Sequence, residues 1–283
     1  MDATIDHILF PTDFSDNARH ALPFALKIAK RTGATVHILH TIEEPYDFAP
    51  MAEEIKKGVT GKVRKLFEEL ILEIEEEGSH ADVPVETHIQ TGRAINAILE
   101  TNQPFKADLI VMGTRGRTGL KKILFGSTTA EVVQQSAIPV LAIPENARST
   151  DFKQIIFTTD YNDGDLEALQ YVVELAKRFK SKIKVFHTTL ESNLKTECMF
   201  HGFRGLVKES ISYEPIDFEE EKSITFFEGV ANQIERYPVS LVVMIRYDKP
   251  FPLIGQKKQS RDMSYYIQAP LLVLPGNDKS TTF

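Results

Sequence analysis

The chain predicts two doubly wound α/β domains in tandem, each a five-stranded parallel sheet flanked by helices. Three observations predict it. The sequence repeats itself, its apolar runs alternate with amphipathic stretches, and a glycine-rich segment leaves one strand and returns at a helix start.

Sliding the sequence by 147 residues aligns, without a gap, the stretch that begins at Ile8 with the one that begins at Ile155. Phe10/Phe157, Thr12/Thr159, Asp13/Asp160, Ala21/Ala168, Ala29/Ala176, His40/His187 and Thr41/Thr188 are among the identical pairs. Each half also closes alike, with DLIVMG and VLAIP in the first and SLVVMI and LLVLP in the second. The polar join near Glu145 to Thr150 divides the chain into residues 1–147 and 148–283.

In the first half the apolar runs have the continuity of strands buried on both faces. The expected strands are His7–Thr12, Thr35–His40, Val83–Gln90, Asp108–Gly113 and Val140–Pro144. Ser15–Thr32, with a Ser or Asp cap and a stop at Gly33, is the first helix; Met51–Glu77, Ile95–Asn102 and Ser127–Ser136 are the others. Right-handed crossovers in the common order 3-2-1-4-5 put a switch point between the first and fourth strands. Pro11–Asp13 and the segment from Met112 to Gly119 both end there.

That second segment carries the chemistry. From Gly113 to Gly126 it holds Arg115, Arg117, Lys121 and Lys122 and no acid, in a chain of net charge -7. Gly113 and Gly116 free the backbone to turn N–H groups inward. Gly126, Ser127 and Thr128 open a helix whose N-terminus favours an anion. A simple flexible connection would need fewer glycines and hydroxyls. The spacing is not G-x-x-x-x-G-K-[ST], and the segment follows the fourth strand, so neither a Walker loop nor a dinucleotide fingerprint is indicated. Asp13 ends the first strand at the same crevice, where it either accepts hydrogen bonds from a ribose or adenine amine or, with Ser15, caps the helix. Thr41 lies just beyond the second strand, where a base edge would sit.

Composition narrows the function classes. Hydrophobic residues at 42% and charged residues at 26% are those of a globular protein. The net negative charge argues against a nucleic-acid or anionic-membrane surface. No apolar run reaches the length of a membrane span, and neither a secretory start nor a second cysteine to pair with Cys198 is present, so a cytoplasmic location is expected.

ILFPTDFS near the N-terminus and MGTRGRTGLKKILFGSTTAEVV followed by PVLAIP resemble the universal stress protein family. The family's nucleotide-binding branch is marked by G-x2-G-x9-G-[ST], a spacing met here by Gly113, Gly116, Gly126 and Ser127. The resemblance implies that Pro11, Thr12 and Asp13 meet the adenosine end of ATP and Thr41 the adenine edge. It implies Met112 and Gly113 as ribose or phosphate floor, Gly116, Gly126, Ser127 and Thr128 at the phosphates, and a magnesium or manganese ion with the triphosphate. It also implies that Val140–Ile143 and Leu271–Leu274 pair antiparallel, so that the chain is its own dimer, with a further homodimer left open. Valine at Gly113 or Gly126 is then expected to abolish nucleotide binding and leave the fold near intact.

The second half departs where it matters. Ile245 stands for Gly113, Asp248 falls near Gly116, Lys257 or Lys258 near Gly126, and Pro250 and Pro252 remove amide donors. Thr158 replaces Pro11, although Asp160 survives. This half is expected not to bind ATP in the family manner, while Arg246, Lys249, Lys257 and Lys258 keep its loop basic enough for some other anion. Cys198, His201 and His187 invite a metal reading, against which core or surface placement is the simpler expectation. His40 and His187 read as equivalent packing at strand ends.

No general base stands beside the loop beyond Asp13. The sequence therefore favours an ATP-binding regulatory or stress-response module over a slow ATP-hydrolysing or phosphotransfer enzyme. A non-nucleotide interaction protein is the third reading.

Overall fold

The computed structural model describes residues 3–43, 53–100, 105–114, 126–191, 193–247 and 269–276. In the first half β1 (His7–Pro11), β2 (Thr35–Ile42), β3 (Val85–Thr91), β4 (Leu109–Gly113) and β5 (Val140–Ile143) alternate with α1 (Asp16–Thr32), α2 (Glu53–Glu77), α3 (Ala94–Leu99) and α4 (Ser127–Gln135). In the second, β6 (Gln154–Thr158), β7 (Lys182–Thr189), β8 (Ile216–Lys222), β9 (Leu241–Arg246) and β10 (Leu271–Pro275) alternate with α5 (Asp165–Phe179), α6 (Leu194–Ser210) and α7 (Phe226–Arg236).

The strands form one sheet in the order β3-β2-β1-β4-β5-β10-β9-β6-β7-β8. Each half is parallel and runs 3-2-1-4-5 in its own numbering. At the centre β10 lies antiparallel to β5, with Leu272 opposite Leu141.

Element ends differ from expectation for local reasons. β3 starts at Val85, not Val83, because Pro84 has no N–H to give the ladder; Val83 instead closes a turn onto His80. Asp108 stands outside β4, where its carboxylate accepts from the backbone N–H groups of Asp6 and His7 at 2.9 and 3.0 Å. β2 continues to Ile42, which carries Thr41 into the ladder opposite Gln90. The helix expected to reach Asn102 ends at Glu100, an extended C-cap before two poor helix formers, Thr101 and Asn102.

Alternation along the strands sorts the core onto two faces. Ile8, Phe10, Ile38 and Val111 pack toward α1 and α2, while Leu9, Leu39, Ile110 and Met112 pack toward α3 and α4. The first of these cores runs without a break into the second half, through Phe152, which stacks on Phe24 and lies beside Phe179. Asp151 at the join is 3.5 Å from Lys27 and 3.9 Å from Arg31.

A histidine sits inside this frame. His37 on β2 has a side chain 3% exposed, and burial pushes its pKa down from 6.5 to about 4 against the pull of Glu86. Burial lowers His80 and His88 in the same direction. Above pH 7 these imidazoles are neutral folded or unfolded and contribute no slope. As pH falls below about 6.5 the unfolded chain takes up protons first, so stability is lost through the folded value, by roughly 3 kcal/mol for His37. Urea midpoints are expected to be level between pH 8 and 7 and lower at pH 5; a level profile down to pH 5 would contradict this account of the burial.

Candidate functional site

Pro11 is the last residue of β1 and still pairs with Leu39. Beyond it the chain turns through four residues into α1. Thr12 donates its N–H to Leu39 O at 2.8 Å, and its Oγ1 accepts from the N–H of Phe14 at 3.0 Å. Phe14 takes φ 58, a left-handed value held in place by its ring packing on Phe67 and His40. Asp13 Oδ1 accepts from the N–H of Ser15 at 3.0 Å, and Ser15 caps α1 by accepting from Ala18 at 3.3 Å. The carboxylate of Asp13 and the hydroxyl of Thr12 thus build the turn itself. Thr12 is only 8% exposed, so its side chain braces the turn from below.

The other wall is the exit of β4. Gly113 O accepts from Thr129 Oγ1 at 2.9 Å, Thr114 donates its N–H to Ile143 O at 2.9 Å, and Gly126 donates its own to Thr114 O. The segment between Thr114 and Gly126 therefore leaves and returns at one hydrogen-bonded point; its residues 115–125, Gly116 included, lie outside the described residues. Gly126 is the N-cap of α4 in extended conformation and makes no side-chain cap bond. Ser127 is exposed and Thr128 half-buried. The first turn of α4 thus opens toward the β4 exit with N–H groups that no cap side chain takes.

β2, β1 and β4 are neighbours in that order, so the structure brings Thr41, Pro11–Asp13 and Gly113 to one edge of the sheet. α1 packs on one face of the sheet and α4 on the other, the arrangement that places a crevice at such an edge. Met112 contributes only backbone, because its side chain is buried among the residues facing α3 and α4.

Gly113 also has a packing role that the sequence does not show. A Cβ there would lie 2.9 Å from Asn17 O and 3.2 Å from Asn17 C, both backbone atoms of α1. The glycine lets α1 close on β4, so a larger side chain disturbs the fold as well as the site. Gly113→Ala is expected to lower stability by about 1–3 kcal/mol, read as a shifted urea midpoint; an unchanged midpoint would show that α1 yields freely.

The second half repeats the turn and adds a buried carboxylate to it. Tyr161 takes φ 60, and Thr159 Oγ1 accepts from its N–H at 2.9 Å, as Thr12 does from Phe14. His187 Nδ1 donates to Thr159 O at 2.7 Å, as His40 Nδ1 does to Thr12 O at 2.8 Å. Where α1 has Ala18, however, α5 has Asp165, fully buried. Its carboxylate accepts from Thr159 Oγ1 at 2.6 Å, from the N–H groups of Asp160 and Asn162 at 3.1 Å each, and from the hydroxyl of Tyr247. Burial pushes this carboxyl upward, and the donors oppose it. Tyr247 follows β9 directly, and its hydroxyl ties the exit of that strand to the first turn of α5.

Arg246 is committed as well. It reaches across to the first half and donates to Gln134 O and to Ser136 O at 2.6 Å, at the C-terminal end of α4. It is therefore not part of a basic anion-binding loop. Lys249, Lys257 and Lys258 lie outside the described residues, as do Asp248, Pro250 and Pro252.

Cys198 and His201 are both exposed on α6, whereas His187 is tied to Thr159 O. The metal-type cluster among the described residues is another one, His37 with Glu86 and His88. Sequence reasoning missed it. The available signal was Glu86-x-His88, two ligand-type side chains on one face of a strand.

No helix among the described residues is long and apolar enough to cross a membrane. The fold and the crevice define a doubly wound α/β protein with its ligand edge at a topological switch point. The Universal stress protein family matches residues 4–144. Universal stress protein MJ0531 of Methanocaldococcus jannaschii is 33% identical over 137 residues, which cover 48% of this chain and 80% of that protein. A universal stress protein of Thermus aquaticus is 33% identical over 139 residues, 48% of this chain and 96% of its own. The chain belongs to the universal stress protein family. Over its whole length it also shares the fold of a solved universal stress protein from Archaeoglobus fulgidus, with TM-score 0.72, 19% identity and coverage of 98% and 99%.

Proposed function

We propose that the chain is an ATP-binding universal stress protein whose first half, residues 1–147, holds one nucleotide, and that it works as a nucleotide-dependent regulatory or stress-response module. The observation that carries this reading is the α4 N-terminus, open at Gly126 and hydrogen-bonded through Thr114 to the exit of β4. Phosphates suit that position because unpaired N–H groups and the helix dipole both favour negative charge. Gly113, Gly116, Gly126 and Ser127 keep the family's nucleotide spacing, and Arg115, Arg117, Lys121 and Lys122 add positive charge within it. Adenosine would lie over Pro11–Asp13 and Thr41. A magnesium or manganese ion fits the donor set as well, since Ser127, Thr128 and Asp13 offer the hard oxygen ligands such ions take.

Residues 148–283 serve as the scaffold half. The bond between Asp165 and Tyr247, which the first half lacks at Ala18, supports this reading, and the ladder between β5 and β10 supports a chain that pairs its own two halves. Calorimetric titration of the full chain, freed of carried-over nucleotide, with ATP and magnesium is expected to give one ATP per chain. Two sites would reassign the second half; no binding would remove ATP from the function and leave the fold as it is.

A further inference from the structure

A second cluster lies at the opposite edge of the first half-sheet, near the strand starts. His7 opens β1, His37 is on β2, and Glu86 and His88 are on β3; strand register places all four on the face that carries α3. His37 Nδ1 is 3.1 Å from His88 Nε2 and 3.3 Å from Glu86 Oε2, and His88 Nε2 is 3.8 Å from the same Glu86 oxygen. These are three donor atoms, one from each residue. A tetrahedral zinc ion with bonds near 2.1 Å separates its ligand atoms by about 3.4 Å. The three atoms already outline one face of that tetrahedron.

The surroundings favour the same chemistry. His37 Nε2 is 3.0 Å from His7 Nδ1, so with Nδ1 turned to a metal the Nε2–H donates to His7, the outer hydrogen bond that fixes a metal-binding imidazole. Phe105 stacks flat on His37, with centroids 3.5 Å apart and planes at 6°, and holds the ring in place. His88 is 20% exposed and Glu86 60%, which leaves a path for an ion and a fourth position for water or a further ligand.

The fold does not need histidines here. The register equivalents of His37, Glu86 and His88 in the second half are Lys184, Asp217 and Glu219, and the Tyr237 ring lies against Lys184 as Phe105 lies against His37. Lys184 Nζ lies 2.6 Å from Glu219 Oε2, 3.0 Å from Gln233 Oε1 and 3.3 Å from the Tyr237 ring centroid. One half closes this corner with an ion pair under an aromatic ring. The other puts two imidazoles and a carboxylate at ligand spacing beneath Phe105.

We propose that His37, Glu86 and His88 form a divalent transition-metal site of the zinc type, separate from the nucleotide crevice. Zinc suits it because the donors are nitrogen and carboxylate oxygen in tetrahedral spacing. The site rests on no property of the nucleotide crevice, so its test is made on the full chain without nucleotide. Zinc(II) is titrated into metal-free protein against a chromophoric chelator, and cobalt(II) is substituted to read the coordination. Expected are one zinc per chain and the intense visible bands of tetrahedral cobalt. Glu86→Gln and His88→Ala, both at the partly exposed end, are each expected to weaken zinc by at least about 10-fold and to remove the cobalt bands. Cys198→Ser and His201→Ala are expected to change neither. The proposal is overturned if zinc does not bind, if it binds equally well to Glu86→Gln and His88→Ala, or if it is lost in Cys198→Ser.

Discussion

Replacing Asp165 by alanine is expected to destabilise the chain by about 3 kcal/mol or more, although alanine is the residue that the equivalent position of α1 carries. The loss follows from what the carboxylate holds. Two hydroxyls and two backbone N–H groups converge on a side chain with no solvent exposure, and its removal leaves them without that acceptor in a site closed to bulk water. Asp165→Asn keeps the shape but presents two donors among donors, so it is expected to recover little. Tyr247→Phe takes away one donor and leaves the others paired, which is expected to cost only about 1 kcal/mol. Urea unfolding of the three variants gives the order. If Asp165→Ala were as stable as the parent, the network would not be a buried one. None of the three is expected to gain ATP binding, because Ile245, which stands where Gly113 stands, remains unchanged.

Gly126→Val is expected to weaken ATP at least about 100-fold, while the urea midpoint moves far less than in Asp165→Ala. The φ of Gly126 is −62 and its ψ 161, an extended conformation that valine adopts readily. An N-cap side chain stands beside the N–H groups of the first helical turn, which is why serine or aspartate there accepts from them. Valine would cover the same groups without accepting. Two hydrogen bonds to a charged oxygen, at about 1.5 kcal/mol each, account for the 100-fold. Calorimetry of the variant checks it, and unchanged affinity would move the phosphates away from α4. Gly113→Val makes a poorer probe of the site, because its Cβ meets Asn17 before it meets any ligand.

Much of the architecture was legible because it depends on local pattern. Apolar continuity located the strands, Ser15 and Gly33 marked the ends of α1, and the repeat identified His40 and His187 as one packing device used twice. The crevice was legible for the same reason, since strand order alone fixes where the connections diverge. What escaped depends on partners distant in sequence. Nothing in the sequence shows that the Thr12 hydroxyl accepts from Phe14. Asn162–Asp165 reads as a cap and turn, yet the fourth donor to Asp165, Tyr247, is 82 residues away. Arg246 reads as part of a basic loop, yet it closes a helix of the other half, 110 and 112 residues distant. His37 and His88 are ordinary strand residues in sequence, and only the ladder between β2 and β3 sets their nitrogens side by side.

The sheet ends at β3 on one side and β8 on the other, and neither strand has an outer neighbour among the described residues. β3 carries Glu86, His88 and Gln90, and β8 carries Asp217, Glu219, Glu220, Glu221 and Lys222. A strand adding to the β8 border would have to lay its backbone along a row of charge, and two β8 borders would repel each other. Wide sheets are prone to grow into fibres through their borders. In this chain the acidic residues of β8 resist that growth at one border.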